Sequence, residues 1–503
     1  MASAEHQSDV NEPVTLPDST SRRMLTILAV LAVAGLAGAL FLAFPFNSQV
    51  GGFTGGMRRF FLSYLAAYGF VLSIALGGLF FVMLQHVTRA GWSVNVRRIP
   101  EALANTMPAL AVLSIPILLT LLFPGYSGAP TLYPWAASVQ AEHASAEEAA
   151  IPGQDDQVPE IRSAGPAAEP SQAGASEGLT GFDTPLLTRE AMTVAHAKRH
   201  LEYDALTKHK APYLNRPFFA LRIVIYFGVW IAIAAFYWRN SVLQDRTGDP
   251  ALTTRMQKWA PLCILAYAFT VTGAAFDLWM SIDPHFFSTI WAVYIFAGGV
   301  LGSLAVIILI YEMLQGAGFL KGAVSREHFH DLGKLLFAFV FFWGYIAFSQ
   351  FLLIWYANIP ETTYWFGVRG ATTVSANLGF GAWPSDPMAA APVGWWAVVS
   401  LILLFGHLLI PFGGLLSRHP KRRLGLLAFW AVWMLVMHYI DHYWLIMPEA
   451  MVGSWAVIPL PEIACLLFMV GAVGAYFVWT LSRAAIRPVA DPRVHESMAF
   501  HNI

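Results

Sequence analysis

Long apolar stretches, separated by short polar segments, run along most of the chain. A helix needs about 20 apolar residues to cross a bilayer, and ten stretches reach that length. They run near 24–46, 60–87, 101–123, 217–238, 258–282, 286–314, 332–357, 391–416, 423–447 and 455–482. In hydrocarbon, backbone N–H and C=O groups must form hydrogen bonds within their own segment. The ten stretches also lack the alternation of apolar and polar residues that is typical of β-barrel strands. The pattern therefore predicts an all-α polytopic membrane protein of about ten transmembrane helices.

The polar segments divide the chain into five regions. These are a tail (1–23), spans 1 to 3 (24–123), a long loop (124–216), spans 4 to 10 (217–482) and a second tail (483–503). Within the loop, residues 136–183 have too few large apolar groups to offset ordering entropy, so we expect disorder there. Residues 186–208 have helically spaced apolar positions and are predicted to form an amphipathic helix on the periplasmic face. Residues 1–23 lack the apolar core of a removable signal peptide.

Lysine and arginine are distributed unevenly between the two sides of the predicted bundle. With the N-terminus placed in the cytoplasm, the short loops on the opposite side carry only Arg58, Arg59 and Arg369. The tails and the other loops carry many more basic residues. The positive-inside rule therefore predicts that both termini are cytoplasmic.

Composition and cysteine usage narrow the function classes. The chain is 57% hydrophobic and 12% charged, whereas a soluble domain is about 25% charged. A formal net charge of −1 gives no basis for binding nucleic acid. Cys263 and Cys465 are far apart and form no CxxC, CxxCH or four-cysteine motif. We therefore expect no disulfide framework, iron–sulfur cluster or c-type haem on this chain.

Several polar side chains fall inside the predicted spans, where they are costly and usually functional. Counting the helical rise of about 1.5 Å per residue from each span end places six of them in one layer towards the periplasmic side. They are Asp277, Arg222, Gln350, His438, Asp441 and Glu462. His285 lies just above this layer. Together they predict a site that handles quinol or protons, with Arg222, His285, Gln350 and Glu462 as its lining.

The strongest candidates in this layer are His438 and Asp441. Their i, i+3 spacing places both on one helix face, where a carboxylate beside an imidazole accepts a proton from quinol or relays it. The alternative is a buried ion pair, with Arg222 as a partner, that only fixes helix packing. We expect His442 to point elsewhere and to be a satisfied interfacial group.

Other polar residues fall towards the cytoplasmic half. Glu101, Glu312 and His407 are candidates for the inner half of a proton route, although acids near helix ends are usually only solvated. His407 and His438 come out at different depths, so the two are not expected to ligate an intrinsic haem b. No metal site is predicted; Glu327, His328, His330 and Asp331 are expected to form a solvated turn. Gly298 and Gly302 form a small-xxx-small pair typical of close helix packing.

Four segments resemble a known family. They are KAPYLNRPFFALRIVIYFGVW (210–230), FDLWMSIDPHFFSTIWAVYIFAG (276–298), LGKLLFAFVFFWGYIAFSQFLLIWYANIPETTYWF (332–366) and HYIDHYWLIMP (438–448). They look like the ActF family, the second NrfD-like (polysulfide reductase membrane subunit-like) subunit of bacterial alternative complex III, a quinol:cytochrome c oxidoreductase.

This resemblance implies an architecture, a location and partners. The architecture is two four-helix bundles, spans 2–5 and 6–9, flanked by spans 1 and 10, in the bacterial inner membrane. The partners are membrane lipid, a sister NrfD-like subunit, an iron–sulfur subunit and c-type haem subunits. Quinol is the implied small molecule, with Asp277, His438 and Asp441 as the residues that would act on it or on its protons.

Three function classes remain open from the sequence. The first is a respiratory subunit with a quinol site, a proton path or both. The second is a purely structural anchor for peripheral redox subunits. The third is a secondary transporter, which usually has broken helices near the midplane, whereas the acids here cluster towards one face.

Overall fold

A computed structural model describes residues 14–43, 52–122, 132–136, 205–320, 322–371, 394–450 and 459–501. The described part contains helices and no strand. Ten helices are long and apolar enough to span a membrane. We number them in chain order: α1 Asp18–Ala43, α2 Met57–Val87, α3 Arg98–Leu121, α4 Arg216–Thr247, α5 Pro250–Ile282, α6 Trp291–Gly316, α7 Arg326–Ala357, α8 Trp395–Leu415, α9 Leu424–Glu449 and α10 Leu460–Leu481. The predicted all-α polytopic fold is confirmed.

Helices α4 and α5 extend beyond the apolar stretches at 217–238 and 258–282, because polar residues continue the end of α4 and the start of α5. Polar side chains also cap the start of each helix. Asn215 caps α4, accepting a hydrogen bond from the Phe218 N–H at 3.0 Å. Gly248 ends α4 in the left-handed region (φ 66°), where glycine has no steric penalty. Asp249 then caps α5 through the Ala251 N–H at 2.9 Å. The two helices are thus joined by a tight turn.

The start of α7 differs from the sequence prediction. Ser325 is its N-cap, and the ring of His328 accepts the Ser325 N–H at 3.0 Å, which completes a capping box. Glu327 pairs with Arg422. The expectation that Glu327, His328, His330 and Asp331 form a solvated turn was wrong, because all four lie in helix α7, and Glu327 and His328 are buried. The His328 ring satisfies the cap that this helix end needs.

The helices pack in two groups around a central contact between α2 and α6. Helix α2 contacts α3 and α5, and α4 packs on α5; α6 contacts α7 and α9, and α8 packs between α7 and α9. Helix α1 lies along α10, where Gly35 and Gly471 leave no room for a side chain. This is the expected arrangement of two bundles, α2–α5 and α6–α9, with α1 and α10 at the flank.

Both ends of the described chain lie on one side of the bundle, which we call the terminal side. The Ile486 N–H donates to the Val14 carbonyl at 2.9 Å. Residues 483–501 were expected to be a simple tail, but they fold against the α2–α3 connection, where Asp491 pairs with Arg97 at 2.8 Å. The predicted disordered stretch at 136–183 lies outside the described residues apart from Ala136, and so does most of the predicted helix at 186–208.

Candidate functional site

Three buried side chains, His407, His438 and Asp441, meet at the centre of the second bundle. Each offers a ring nitrogen or a carboxylate oxygen, and these atoms lie within 4.8 Å of one another. The side chains belong to residues that are 0%, 1% and 2% exposed. We call this group the imidazole–carboxylate cluster.

A break in the regular helix of α8 carries His407. Residues Leu403–Leu409 form a π-helix, a feature frequent at functional sites. The Ile410 N–H donates to Phe405, and Pro411 has no N–H to give. The Gly406 carbonyl is instead satisfied by the indole N–H of Trp433 at 2.7 Å.

This local geometry corrects two sequence predictions. His407 was placed at a different depth from His438, as part of an inner route with Glu101 and Glu312, and that placement was wrong. Its ring packs on Trp343, with centroids 3.7 Å apart, and joins the cluster. A residue count along α8 assumes a regular helix, and it cannot show which side chains α8 and α9 bring together.

The His438 ring occupies space that two glycines of α6 leave open. A Cβ at Gly298 would lie 2.9 Å from the ring's Cε1 atom, and one at Gly302 would lie 2.8 Å from Cδ2. The small-xxx-small pair therefore allows an imidazole to enter the helix interface. Close packing of α6 does occur one residue along, where a Cβ at Gly299 would lie 2.6 Å from the Ser73 carbonyl oxygen.

Asp441 is held by hydrogen bonds from neutral groups. The Tyr294 hydroxyl donates to one carboxylate oxygen, and the Trp343 indole N–H donates to the other at 3.3 Å. No arginine or lysine of the described chain pairs with Asp441. A buried carboxylate without a cationic partner is costly when it is ionised, so this group requires a proton or a nearby positive charge.

The other predicted acids of the layer have arginine partners instead. Asp277 accepts two hydrogen bonds from Arg222, each at 2.8 Å, and a third from the Tyr226 hydroxyl at 2.9 Å. Glu462 accepts from Arg59 at 3.0 and 3.1 Å. Arg222 is therefore engaged with Asp277, and the alternative in which it pairs with His438 and Asp441 was wrong.

The remaining candidates, Gln350 and His285, are buried and have polar partners outside the cluster. Gln350 accepts from Ser288 at 3.2 Å, and His285 lies 3.6 Å from Asp283. The predicted layer is thus a set of buried groups that separate into local pairs, and His438 and Asp441 are its only members in the imidazole–carboxylate cluster.

Of the predicted inner route, Glu101 belongs to a charge network on the terminal side. It pairs with Arg97 at 2.9 Å and lies 3.6 Å from Arg98. Burial lowers the pKa of the Arg97 guanidinium, but the carboxylates of Glu101 and Asp491 outweigh burial and raise the pKa. Glu312 is separate, and its buried Oε2 has no hydrogen-bond partner.

The imidazoles around Asp441 have ring nitrogens with no hydrogen-bond partner. Both nitrogens of His407, Nδ1 of His438 and Nε2 of His442 are in this state. The His442 ring is buried, lies 4.6 Å from the His438 ring and donates through Nδ1 to the His438 carbonyl at 3.1 Å. The expectation that His442 is a satisfied interfacial group was therefore wrong. The i, i+4 spacing of the two histidines was the signal that could have indicated it.

Sequence reasoning also missed Ser73, Tyr294 and Trp343. They carry no charge and come from other helices, so spacing along α9 does not indicate them. Tyr294 precedes Gly298 by one helical turn, which places both on the same face of α6. Only the packing of α6 on α9 shows that this face meets Asp441.

The cluster can hold either a proton or a metal ion. Two imidazoles and a carboxylate are a donor set that divalent transition metals accept. A closed structural zinc site has four protein donors, whereas this group has three. A proton, unlike a metal ion, needs the lone pair of only one atom. The Asp441 carboxylate provides such a lone pair, and so does a neutral imidazole ring.

Comparison of the chain with protein-family models and with curated proteins found no match.

Proposed function

We propose that this chain is an integral membrane subunit of a respiratory quinol:cytochrome c or quinol:oxidase oxidoreductase, and that its imidazole–carboxylate cluster handles protons for that complex. The respiratory assignment rests on the resemblance of four segments to the ActF family. The proton assignment rests on the cluster itself. The two parts have independent support.

The observation that carries the proton assignment is the isolation of Asp441. It is buried, it has no arginine or lysine partner among the described residues, and a ring nitrogen of His407 that has no hydrogen-bond partner lies within 4.8 Å of it. A protonated carboxyl beside a neutral imidazole and a carboxylate beside an imidazolium have the same net charge. A proton can therefore move between these groups without leaving an uncompensated charge in a medium of low dielectric constant.

The resemblance supplies the wider setting of the proposal. The partners are a sister NrfD-like subunit, an iron–sulfur subunit and c-type haem subunits, in the bacterial inner membrane with both termini cytoplasmic. Quinol is the electron donor of the complex, and we propose that its haem groups and iron–sulfur clusters are on the partner subunits. The Arg222–Asp277 pair, with His285, Gln350 and Glu462, is then a candidate lining for quinol or for the outer part of a proton path.

The test is Asp441→Asn in the native complex. Amide and carboxyl are nearly isosteric, so the complex should assemble, while quinol oxidation or its coupled proton uptake should fall by about 100-fold, the lower end of acid–base contributions. Asp331→Asn is the matched control, because Asp331 pairs with Lys334 at the start of α7, away from the cluster. Wild-type rate and coupling in Asp441→Asn would remove the cluster from the mechanism.

Metal analysis of the same samples separates the two occupants. Elemental analysis of purified complex should find no stoichiometric divalent metal that depends on Asp441. One ion per chain, lost in Asp441→Asn and retained in Asp331→Asn, would replace the proton assignment with a metal site.

A further inference from the structure

A chain of two hydrogen bonds connects the His438 ring to helix α2. The Nε2 atom of His438 lies 2.9 Å from the Ser73 hydroxyl oxygen. The same hydroxyl donates to the Phe70 carbonyl oxygen at 2.8 Å. Ser73 is 1% exposed, so bulk water does not compete for these bonds.

The donor and acceptor roles follow from counting hydrogens. A serine hydroxyl has one hydrogen, and the Phe70 carbonyl can only accept. The hydroxyl hydrogen therefore points to Phe70, and the Ser73 oxygen accepts from the Nε2–H of His438. In the neutral ring, the lone pair is then on Nδ1, the nitrogen that has no hydrogen-bond partner.

The other tautomer lacks these bonds. An Nδ1–H ring would present its Nε2 lone pair to the lone pairs of Ser73. The hydroxyl would have to turn away from Phe70 to donate to Nε2, so one of the two hydrogen bonds of Ser73 would be lost. One residue type at position 73 thus decides which nitrogen of His438 carries the hydrogen.

We propose that Ser73 is a positioning residue that fixes the Nε2–H tautomer of His438 and so places the lone pair of the neutral ring on Nδ1. A role of Nδ1 in proton exchange would rest on the proposed function, whereas the tautomer does not. The Ser73 hydroxyl does not pass a proton on, because its hydrogen is committed to a backbone carbonyl.

The neighbouring histidine provides an internal reference. The Nδ1 atom of His442 donates to the His438 carbonyl, so His442 has its hydrogen on Nδ1 and its lone pair on Nε2. The two histidines, one helical turn apart, therefore have opposite tautomers. Substitution of Ser73 removes the bond that fixes His438 and leaves the bond that fixes His442.

The experiment is ¹⁵N NMR of the histidine-labelled full-length protein, with signals assigned from His438→Asn and His442→Asn. In the wild type, His438 should show a protonated Nε2 and an unprotonated Nδ1, and His442 should show the reverse. In Ser73→Ala, His438 should shift towards Nδ1–H, because the hydrogen bond that holds the hydrogen on Nε2 is lost, while His442 should not change. Ser303→Ala is the control, since the buried Ser303 hydroxyl has no hydrogen-bond partner.

Two results would overturn the proposal. One is a wild-type His438 with its hydrogen on Nδ1, which decides the question even if Ser73→Ala does not fold. The other is a Ser73→Ala protein in which His438 stays in the Nε2–H form. Failure of the proposed function is a separate result: Asp441→Asn would then keep full proton coupling, and the two tautomers would remain as assigned.

Discussion

Replacement of Gly302 by alanine tests whether the position of the His438 ring matters to the complex. The added Cβ would lie 2.8 Å from His438 Cδ2 and 3.0 Å from Ile74 Cγ1. Carbon atoms prefer separations of about 3.5–4.0 Å. The ring must therefore move by at least about 0.7 Å. Alternatively, helices α6 and α9 must separate by a similar distance.

The structure sets the size of the two expected effects. Overpacking of this kind costs about 1–3 kcal/mol, and the better helix propensity of alanine returns up to about 1 kcal/mol. Stability should therefore fall by no more than about 3 kcal/mol, and the protein should remain folded. A displacement of about 0.7 Å is nevertheless enough to take the 2.9 Å contact between His438 Nε2 and Ser73 out of hydrogen-bonding range.

The assay compares proton-coupled quinol oxidation in the native complex with the histidine NMR signals of the isolated chain. In Gly302→Ala we expect a changed His438 signal together with a loss of rate of at least about tenfold, since acid–base transfer depends on hydrogen-bond reach. Gly316→Ala is the matched control on the same helix, because nothing lies within 4 Å of its added Cβ. A wild-type rate and an unchanged His438 signal in Gly302→Ala would refute the link between this packing and the chemistry.

Three further predictions concern groups outside the cluster. Arg222→Met leaves Asp277 buried and unpaired, so thermal unfolding should show a loss of about 3–5 kcal/mol, recovered in large part when Asp277 is also made Leu. The ion pair with Arg97 outweighs the effect of burial and lowers the pKa of Asp491 in the folded protein. The pair therefore stabilises the fold above the pKa of an unfolded aspartate, about 3.9. This stabilisation is lost as the pH falls through the lower pKa of the folded protein. Protease cleavage of the folded C-terminal segment should therefore increase only at strongly acidic pH in the wild type, and already at neutral pH in Asp491→Asn. Trp433→Phe removes the donor to the π-helix carbonyl of α8 and should cost about 1–3 kcal/mol by thermal unfolding, whereas Trp479→Phe, on the half-exposed side of α10, should cost less.

The sequence was sufficient for the fold because membrane helices carry a strong one-dimensional signal. Twenty apolar residues in a row must form a helix in hydrocarbon, so all ten spans could be located. Helix ends were less accurate. The polar extensions of α4 and α5 depend on caps at Asn215 and Asp249, which hydropathy does not register.

The site was only partly predictable because its members are joined by packing between helices. His438 and Asp441 share a face of α9, and their i, i+3 spacing indicated them. His407 was assigned to the wrong group because its depth was counted from residue 391, whereas α8 begins at Trp395, and because a residue count does not register the π-helix of α8. Tyr294, Trp343 and Ser73 are neutral and common in membrane helices, and only the three-dimensional arrangement shows that they orient the ionisable groups.

The contrast between Asp441 and the other buried acids shows that burial alone does not determine which carboxylate can change its protonation state. Asp277 faces Arg222, Glu462 faces Arg59 and Glu449 faces Arg369. If any of these carboxylates took up a proton, a guanidinium would be left charged in a dry environment, and arginine does not lose its own proton to compensate. Such pairs are therefore fixed in their charged state. They join helices and can line a site, but they do not exchange protons themselves. Asp441 faces imidazoles, a hydroxyl and an indole, none of which imposes a charge, so both of its protonation states are available inside the membrane.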